Sequence, residues 1–455
     1  MSKKFLTACL AIASVGAVAY YIKNRIDEDI DDEYEEDDYT DETSGIEEDE
    51  EDDDFEKAEI KEVIVTKDKC IKNEVETVNE VDEDSADNND DDEEDEKQEN
   101  EEDEEEELVV KTIPEYVTEL ADIKMFHFYD DANEVVLPET LEKIGDYAFS
   151  CHSSLMYIGI PNNVTYIGDN AFENCSELIE VGLPENITEI NSQTFMNCTN
   201  LEYINIPEGV TVIKDMAFFN CQSLKEVSLP STLTEISDSA FYNCSNLECI
   251  NFPDGLEKIG NAAFCNCKSL EKVSLPDTVN FVGQGAFSFC ISLKKATLSN
   301  SLNVISDSLF YHCINLEKVK ITENITSIEK NAFMRCLKLN KIKLNGDLKS
   351  IGDNAFEMCW SLTILDLPDD IEYIGAGAFS KCVSLKETYI PGKVKVILPN
   401  TFSQCQNLKS AILEDGVKFV LDNAFFNCSK LKYLEIGDET KVADTTFKNC
   451  NKIIW

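Results

Sequence analysis

Apolar residues recur along most of this chain at a fixed interval of 23 residues. Phenylalanines mark the interval from Phe149 to Phe425, and a last one, Phe447, follows 22 residues later. One unit has the consensus L-x2-I/V-x-L-P-x2-I/L-x2-I-x4-F-x2-C, with apolar positions at Leu178, Val181, Leu183, Ile187, Ile190, Phe195 and Cys198. A pattern that holds over fourteen units indicates a repeat architecture with one supersecondary unit per period.

Each part of the unit predicts a local structure. Val181 and Leu183 alternate with more polar neighbours, which predicts a short strand. Pro184 then removes a backbone donor and ends the pairing, and residues 187–190 predict a second extended piece. Asp169, three residues before Phe172, is a good N-cap. It predicts one helical or 3₁₀ turn that carries the phenylalanine inward.

A coil of 23 residues buries too little apolar surface alone, so successive coils must stack and share a core. The LP-x2-I-x2-IG-x2-AF-x2-C signature resembles that of leucine-rich repeat proteins, in particular the BspA-like (treponemal-type) surface-antigen subclass, from about residue 109 to residue 455. The resemblance implies a solenoid with a parallel β-sheet of short strands on its concave side and helical or 3₁₀ turns on its convex side. It also implies adhesion at a cell surface.

Composition divides the chain into four predicted regions. Residues 1–25 contain an apolar run at 5–22 flanked by lysines, which predicts a membrane anchor or a cleaved signal peptide. Residues 26–107 contain 46 Asp and Glu against 6 Lys, a net charge of −40 out of −52, and predict a disordered acidic spacer before the solenoid. Residues 108–133 predict an N-terminal cap, because MFHFYDDANEV replaces part of the repeat, and residues 134–455 predict the repeats.

Cysteines follow the phenylalanines at a constant offset of three residues, from Cys175 to Cys450. Equivalent residues of adjacent coils lie about 4.8 Å apart with parallel side chains, whereas a disulfide needs converging Cβ atoms about 3.8 Å apart. We therefore predict buried thiols that act as small apolar fillers. The predicted structural ladder is represented by Phe172, Cys175, Phe195, Cys198, Phe218 and Cys221. Cys70, Cys249 and Cys265 lie off the ladder and are the candidates for reactive thiols.

Motifs for catalysis and metal binding are lacking in the sequence. The nearest cysteine pair is Cys265 and Cys267, and the three histidines are His127, His152 and His312, so no metal site is predicted. The chain has no G-x-S-x-G and no phosphate-binding glycine loop. We therefore predict no enzymatic activity, catalytic residue or cofactor.

The outward positions of the predicted strand carry the residues free to determine binding. Two residues after the strand leucine, four consecutive coils carry a lysine, and two lysines occupy the next outward position. We call these six residues the lysine strip: Lys272, Lys295, Lys318, Lys341, Lys320 and Lys343. Like charges at this spacing repel each other, so an acidic ligand would be favoured. The alternative is a solvated surface partly neutralised by Glu271 and Glu317.

Two functions remain open on the sequence. The first is a non-enzymatic cell-surface adhesion protein, anchored or secreted, that recognises a protein or an anionic glycan; the acidic spacer is a further candidate ligand. The alternative is an intracellular acidic scaffold or histone-chaperone-like protein. The acidic composition of the chain favours this alternative. Binding to nucleic acid is not expected, because the net charge is −52 and few aromatic residues lie among the lysines.

Overall fold

A computed structural model describes residues 108–120, 131–344, 346–450 and 453–454. This part of the chain is a parallel β-solenoid with 27 short strands. Each coil contributes up to two strands, and the two kinds form separate lines along the solenoid. Strands of the first line are β1 (Val110–Thr112), β3 (Glu134–Val136), β5 (Tyr157–Gly159), β7 (Glu180–Gly182), β9 (Tyr203–Asn205), β11 (Glu226–Ser228), β14 (Lys272–Ser274), β16 (Lys295–Thr297), β18 (Lys318–Lys320), β22 (Glu387–Ile390), β24 (Ser410–Leu413) and β26 (Tyr433–Glu435).

The second line consists of two-residue strands on another side of each coil. Its members are β2 (Glu119–Leu120), β4 (Lys143–Ile144), β6 (Tyr166–Ile167), β8 (Glu189–Ile190), β10 (Val212–Ile213), β12 (Glu235–Ile236), β13 (Lys258–Ile259), β15 (Phe281–Val282), β17 (Val304–Ile305), β19 (Ser327–Ile328), β20 (Ser350–Ile351), β21 (Tyr373–Ile374), β23 (Val396–Ile397), β25 (Phe419–Val420) and β27 (Lys441–Val442).

Strand pairing follows the sequence period. Tyr157 lies opposite Glu180 and Val212 opposite Glu235, both 23 residues apart, in parallel register. The first line divides into the sheets β1-β3-β5-β7, β9-β11, β14-β16-β18 and β22-β24-β26. The second divides into β2-β4-β6, β8-β10-β12-β13-β15, β17-β19-β20-β21 and β23-β25-β27. The predicted repeat solenoid with a parallel sheet is therefore confirmed.

A stack of phenylalanine rings runs through the core. From Phe149 to Phe447, each ring lies on the next with centroids 5.1 to 6.0 Å apart and interplanar angles of 3° to 19°. These separations are within the range of favourable offset stacking, worth about 0.5–1.5 kcal/mol per pair beyond burial. The stack explains why the repeat keeps an aromatic residue at this position.

The segment around each phenylalanine is a series of turns, and the described residues contain no helix. The predicted helical or 3₁₀ turn is thus not found there. The amides of Ala171 and Glu173 donate within the coil, to Gly168 O and Asn170 O. Those of Asn170, Phe172 and Asn174 donate to the next coil, at 2.7 to 3.0 Å. A 3₁₀-helix requires consecutive amides to bond locally, and this alternation does not provide them, so the predicted helical or 3₁₀ turn is not confirmed.

The aspartate that lies three residues before many of the phenylalanines also differs from the predicted helix N-cap. Asp169 Oδ1 accepts a hydrogen bond from the backbone amide of Ser192, 3.0 Å away in the next coil. Asp146 and Asp238 make the equivalent bonds to the next coil at 3.1 and 2.7 Å. The side chain that would cap a helix locally instead joins two coils, because the stacked neighbour presents its own unpaired amide.

Several predictions of domain organisation fall on residues that the structure does not describe. The proposed anchor or signal at 1–25 and the acidic spacer at 26–107 lie outside the described residues, as does most of MFHFYDDANEV. Within the predicted cap, β1 pairs with β3 at an offset of 24 residues. Among the described residues, no helix is long and apolar enough to cross a membrane.

Candidate functional site

The first line of strands presents a regular outer face. In β14, β16 and β18 the middle residue, Val273, Ala296 or Val319, is buried, while the residues before and after it project outward. This alternation follows from the two-residue period of a strand. The buried residues hold the sheet on the core, and the outward residues are available to a ligand.

The lysine strip lies on this face. Lys272, Lys295 and Lys318 are directly opposite one another in the parallel register, and Lys320 lies opposite Thr297. Lys341 and Lys343 are exposed on either side of buried Ile342 in the next coil, where no strand is assigned. Adjacent strands are about 4.8 Å apart, so the four lysines of the first column extend over about 14 Å.

Carboxylates do not neutralise the strip within the described part of the chain. There, none of its six lysines has an ion pair. Glu271, which the sequence offers as a neutralising partner, pairs instead with Lys294, with 2.8 Å between Oε1 and Nζ. Elsewhere, lysines pair with the glutamate one coil earlier, as Lys225 does with Glu202 at 3.1 Å and Lys258 with Glu235 at 2.8 Å. Within the described residues, the strip has no ion pair of this kind between its coils.

Two further groups on the same face escaped sequence reasoning. Lys386, Lys409 and Lys432 are exposed and stand one residue after the strand leucines of three consecutive coils. The same 23-residue spacing would have revealed them. Tyr389, Ile412 and Tyr433 are exposed apolar residues on β22, β24 and β26. A cavity of about 680 Å³ lies beside them, lined by Ile412, Tyr433, Leu434, Glu435, Asp438 and Ile454 among others.

The ladder cysteines are packed in the core as free thiols. Cys175, Cys198 and Cys221 are fully buried beside Phe172, Phe195 and Phe218. Burial raises the pKa of these three thiols well above its ordinary value, so they are protonated at neutral pH. A thiol must ionise to act as a nucleophile or metal ligand. Burial therefore suppresses thiol chemistry at these three cysteines.

Off-ladder cysteines are in different settings. Cys249 is exposed on the sheet face, and partial burial together with the carboxylates of Glu226 and Glu248 raises the pKa of its thiol. Cys265 is buried and accepts a hydrogen bond from Ser288 Oγ at 3.1 Å. Cys70 lies outside the described residues. Cys249 therefore has acidic surroundings, the opposite of the electropositive ones that activate a thiol.

Within the ranges that the structure describes, no group of three or more His, Cys, Asp or Glu side chains could hold a metal ion. His152 and Cys265 are both buried but do not belong to such a group. His127 falls outside these ranges.

The repeat region matches a known sequence family. The profile described as "BspA type Leucine rich repeat region (6 copies)" matches residues 118–248, 211–340 and 326–454, which together cover most of the chain. The chain belongs to the BspA-type leucine-rich repeat family. The resemblance inferred from the repeat signature is thereby confirmed, and no curated protein matches the sequence.

Solved structures of leucine-rich repeat proteins are similar to this chain. A leucine-rich repeat protein from Bacteroides ovatus has a TM-score of 0.58 and 26% identity, over 68% of this chain and 84% of that chain. A leucine rich cell surface protein from Faecalibacterium prausnitzii has 26% identity over 76% and 86% of the two chains, at a TM-score of 0.37. The pneumococcal vaccine antigen PcpA has 19% identity over 74% and 88%, at a TM-score of 0.41. The Bacteroides protein supports the fold.

Proposed function

We propose that this BspA-type solenoid is a non-enzymatic binding protein, and that its lysine strip contacts an acidic partner protein or an anionic glycan. The observation that carries the proposal is the set of six exposed lysines that have no ion pair among the described residues. An opposite potential on a partner would steer its encounter with this face and fix its position along the coils.

Support for a binding role over catalysis comes from the thiols and the outer face. Cys175, Cys198 and Cys221 are protonated in the core and Cys249 is flanked by acidic groups, so none of these four is an activated nucleophile. The residues that differ most between coils are the outward ones on the strands, where repeat proteins place their specificity.

A strip variant tests the binding role. In the full chain, we would replace Lys272, Lys295, Lys318 and Lys341 with Glu and measure binding to immobilised heparin and to immobilised poly-L-glutamate at increasing salt. The matched control replaces four lysines that already have ion pairs, namely Lys143, Lys225, Lys258 and Lys294. We expect salt-sensitive binding that the strip variant loses and the control keeps. If the two variants bind the probes equally, the strip is an ordinary solvated surface.

Display at a cell surface is a further part of the proposal. It is supported by membership of the BspA-type family and by the N-terminal apolar run of the sequence. Protease treatment of intact cells of the natural source, followed by antibody detection of the solenoid, tests it. We expect digestion without lysis. A solenoid that is digested only after lysis would instead favour the intracellular acidic scaffold.

A further inference from the structure

We propose that the ligand of the lysine strip is a linear sulfated glycan that lies along the line of coils. This inference rests on the proposed function, since it names the chemical class that the same surface would bind. It follows from the arrangement of the charges, from the groups beside them and from what the strip lacks.

The charges form a line that widens at one end. Lys272, Lys295 and Lys318 succeed one another in register, about 4.8 Å apart. In the last two coils a second lysine stands two residues further along, so Lys318, Lys320, Lys341 and Lys343 form a rectangle of four exposed ammonium groups. Its sides are about 4.8 Å across the coils and about 6.7 Å along the strand. A chain carrying several anions can occupy the line and the rectangle together.

Hydroxyl groups complete the first two coils of the strip. Ser274 and Thr297 occupy the outward position that Lys320 holds in the third coil, and Thr297 and Lys320 are register partners. Their hydroxyls have no hydrogen-bond partner within the described residues. Every coil of the strip therefore presents one ammonium group and a second donor. Sugar rings carry both hydroxyls and, when sulfated, anions, so they can use both.

A folded protein partner fits this part of the face less well. Protein interfaces have cores that are depleted of Lys and enriched in aromatic residues, and a few buried anchors supply most of the affinity. From Lys272 to Lys343 the outward positions of the first line carry Lys, Ser and Thr, with no apolar side chain. The exposed apolar residues of this face lie in other coils, both earlier and later along the chain, at Val136, Tyr203, Ile364, Tyr389, Ile412 and Tyr433.

The cations of the strip place no condition on the geometry of the anion. Lys acts as a point charge that tolerates any anion geometry, and the strip contains no Arg. Single-stranded nucleic acid requires aromatic platforms for base stacking, and the strip offers none. A sulfated glycan needs no such platform and can use both the ammonium groups and the hydroxyls of the strip, so it is the polyanion that the strip fits best.

Binding measurements on the full chain test the inference. The probes are immobilised heparin, chemically desulfated heparin, poly-L-glutamate and a single-stranded oligonucleotide. We expect heparin to bind in a salt-sensitive manner and desulfated heparin, poly-L-glutamate and the oligonucleotide to bind at least about tenfold more weakly. Replacing Lys318, Lys320, Lys341 and Lys343 with Gln should weaken heparin binding about tenfold or more.

Two matched variants distinguish a specific loss of heparin binding from misfolding and from a general effect of charge. Replacing the same four lysines with Arg keeps the charge and should keep heparin binding. Replacing the ion-paired Lys143, Lys225, Lys258 and Lys294 with Gln removes the same charge and should leave heparin binding within about twofold. Tighter, strip-dependent binding to poly-L-glutamate than to heparin would overturn the inference while the proposed function stands. Binding to none of the four probes would overturn both.

Discussion

The Cys290 thiol lies 3.3 Å from the carbonyl oxygen of Phe264 in the preceding coil and donates a hydrogen bond to it. The same oxygen accepts the backbone amide of Cys267 at 3.3 Å. The relationship recurs for thirteen cysteines from Cys175 to Cys450, at 3.0 to 3.3 Å. The cysteine is thus both a small filler and a donor that links coils, which explains why the repeat uses Cys in place of Ala or Val.

Removing one of these thiols should weaken the solenoid. We expect Cys290→Ala to lower the free energy of unfolding by about 1–2 kcal/mol, because it removes a hydrogen bond and leaves a small cavity. Urea denaturation followed by circular dichroism measures the change. Cys151→Ala, at an exposed cysteine, is the control and should stay within about 0.5 kcal/mol. Equal effects of the two substitutions would contradict a structural role for the buried thiol.

High pH should destabilise the solenoid through the buried thiols. Burial raises the pKa of Cys405 to about 12 and raises that of Cys244 and Cys290 well above its ordinary value, whereas an unfolded thiol has a pKa of about 8.5. Above that pH the unfolded state binds fewer protons than the folded state. The stability contributed by each thiol is therefore complete below about pH 8, and it falls by about 1.4 kcal/mol per pH unit as pH rises towards the folded pKa.

Urea denaturation at pH 7.5 and pH 10 measures this effect. Because lysines and tyrosines also titrate in this range, the decisive comparison is with a variant in which Cys244, Cys267 and Cys290 are replaced by Ala. Above about pH 8.5, the free energy of unfolding should fall less steeply in the variant than in the unmodified protein. The difference is about 4 kcal/mol per pH unit if the coils unfold together. If the free energy of unfolding falls equally with pH in the two proteins, burial does not keep these thiols protonated.

A ladder of asparagines on the turn side should contribute to stability through side-chain hydrogen bonds between coils. Asn220 has a positive φ of 63°. Its Nδ2 donates to Asn197 Oδ1 at 2.9 Å, and its Oδ1 accepts from Asn243 Nδ2 at 2.6 Å. Asn220 Oδ1 also accepts a hydrogen bond from Gln222 Nε2 at 2.8 Å. We expect Asn220→Ala to cost about 2 kcal/mol, because it removes these side-chain hydrogen bonds and leaves in the left-handed conformation a residue without the polar side chain that favours it.

Asn220→Gly separates these two causes. Glycine adopts positive φ without a steric penalty, so it should cost about 1 kcal/mol less than alanine, measured by the same urea denaturation. If both substitutions cost the same, the left-handed backbone makes no contribution at this position.

Thr388 offers a stabilising substitution. It occupies the buried strand position that is Val or Ile in many other coils, and within the described residues its hydroxyl has no hydrogen-bond partner. We expect Thr388→Val to raise the free energy of unfolding by about 1 kcal/mol, because it removes an unsatisfied buried donor. Thr401→Val is the matched control: Thr401 is buried and donates to Leu398 O at 2.8 Å. The control should lower stability, and opposite signs in thermal melts are the diagnostic result.

Sequence reasoning succeeded where the 23-residue period carries the information. Phe172 and Val181 are buried, and Lys272 stands opposite Lys295, because equal spacing places equivalent residues of stacked coils side by side. It failed where a group had two possible partners. Asp169 is a good helix N-cap by local rules, yet it binds the amide of Ser192 in the next coil. Glu271 stands next to Lys272 in the sequence, yet its carboxylate pairs with Lys294.

The sequence by itself therefore determined the period, the parallel stacking and the column of lysines, since these depend only on which residues recur at equal spacing. Tertiary structure decided which hydrogen bonds and ion pairs form between coils. Alternate amides such as that of Phe172 donate across to the next coil, so the turn cannot close into a helix. A polar group in a solenoid has a neighbour about 4.8 Å away in the adjacent coil, and that neighbour competes with every partner available along the chain.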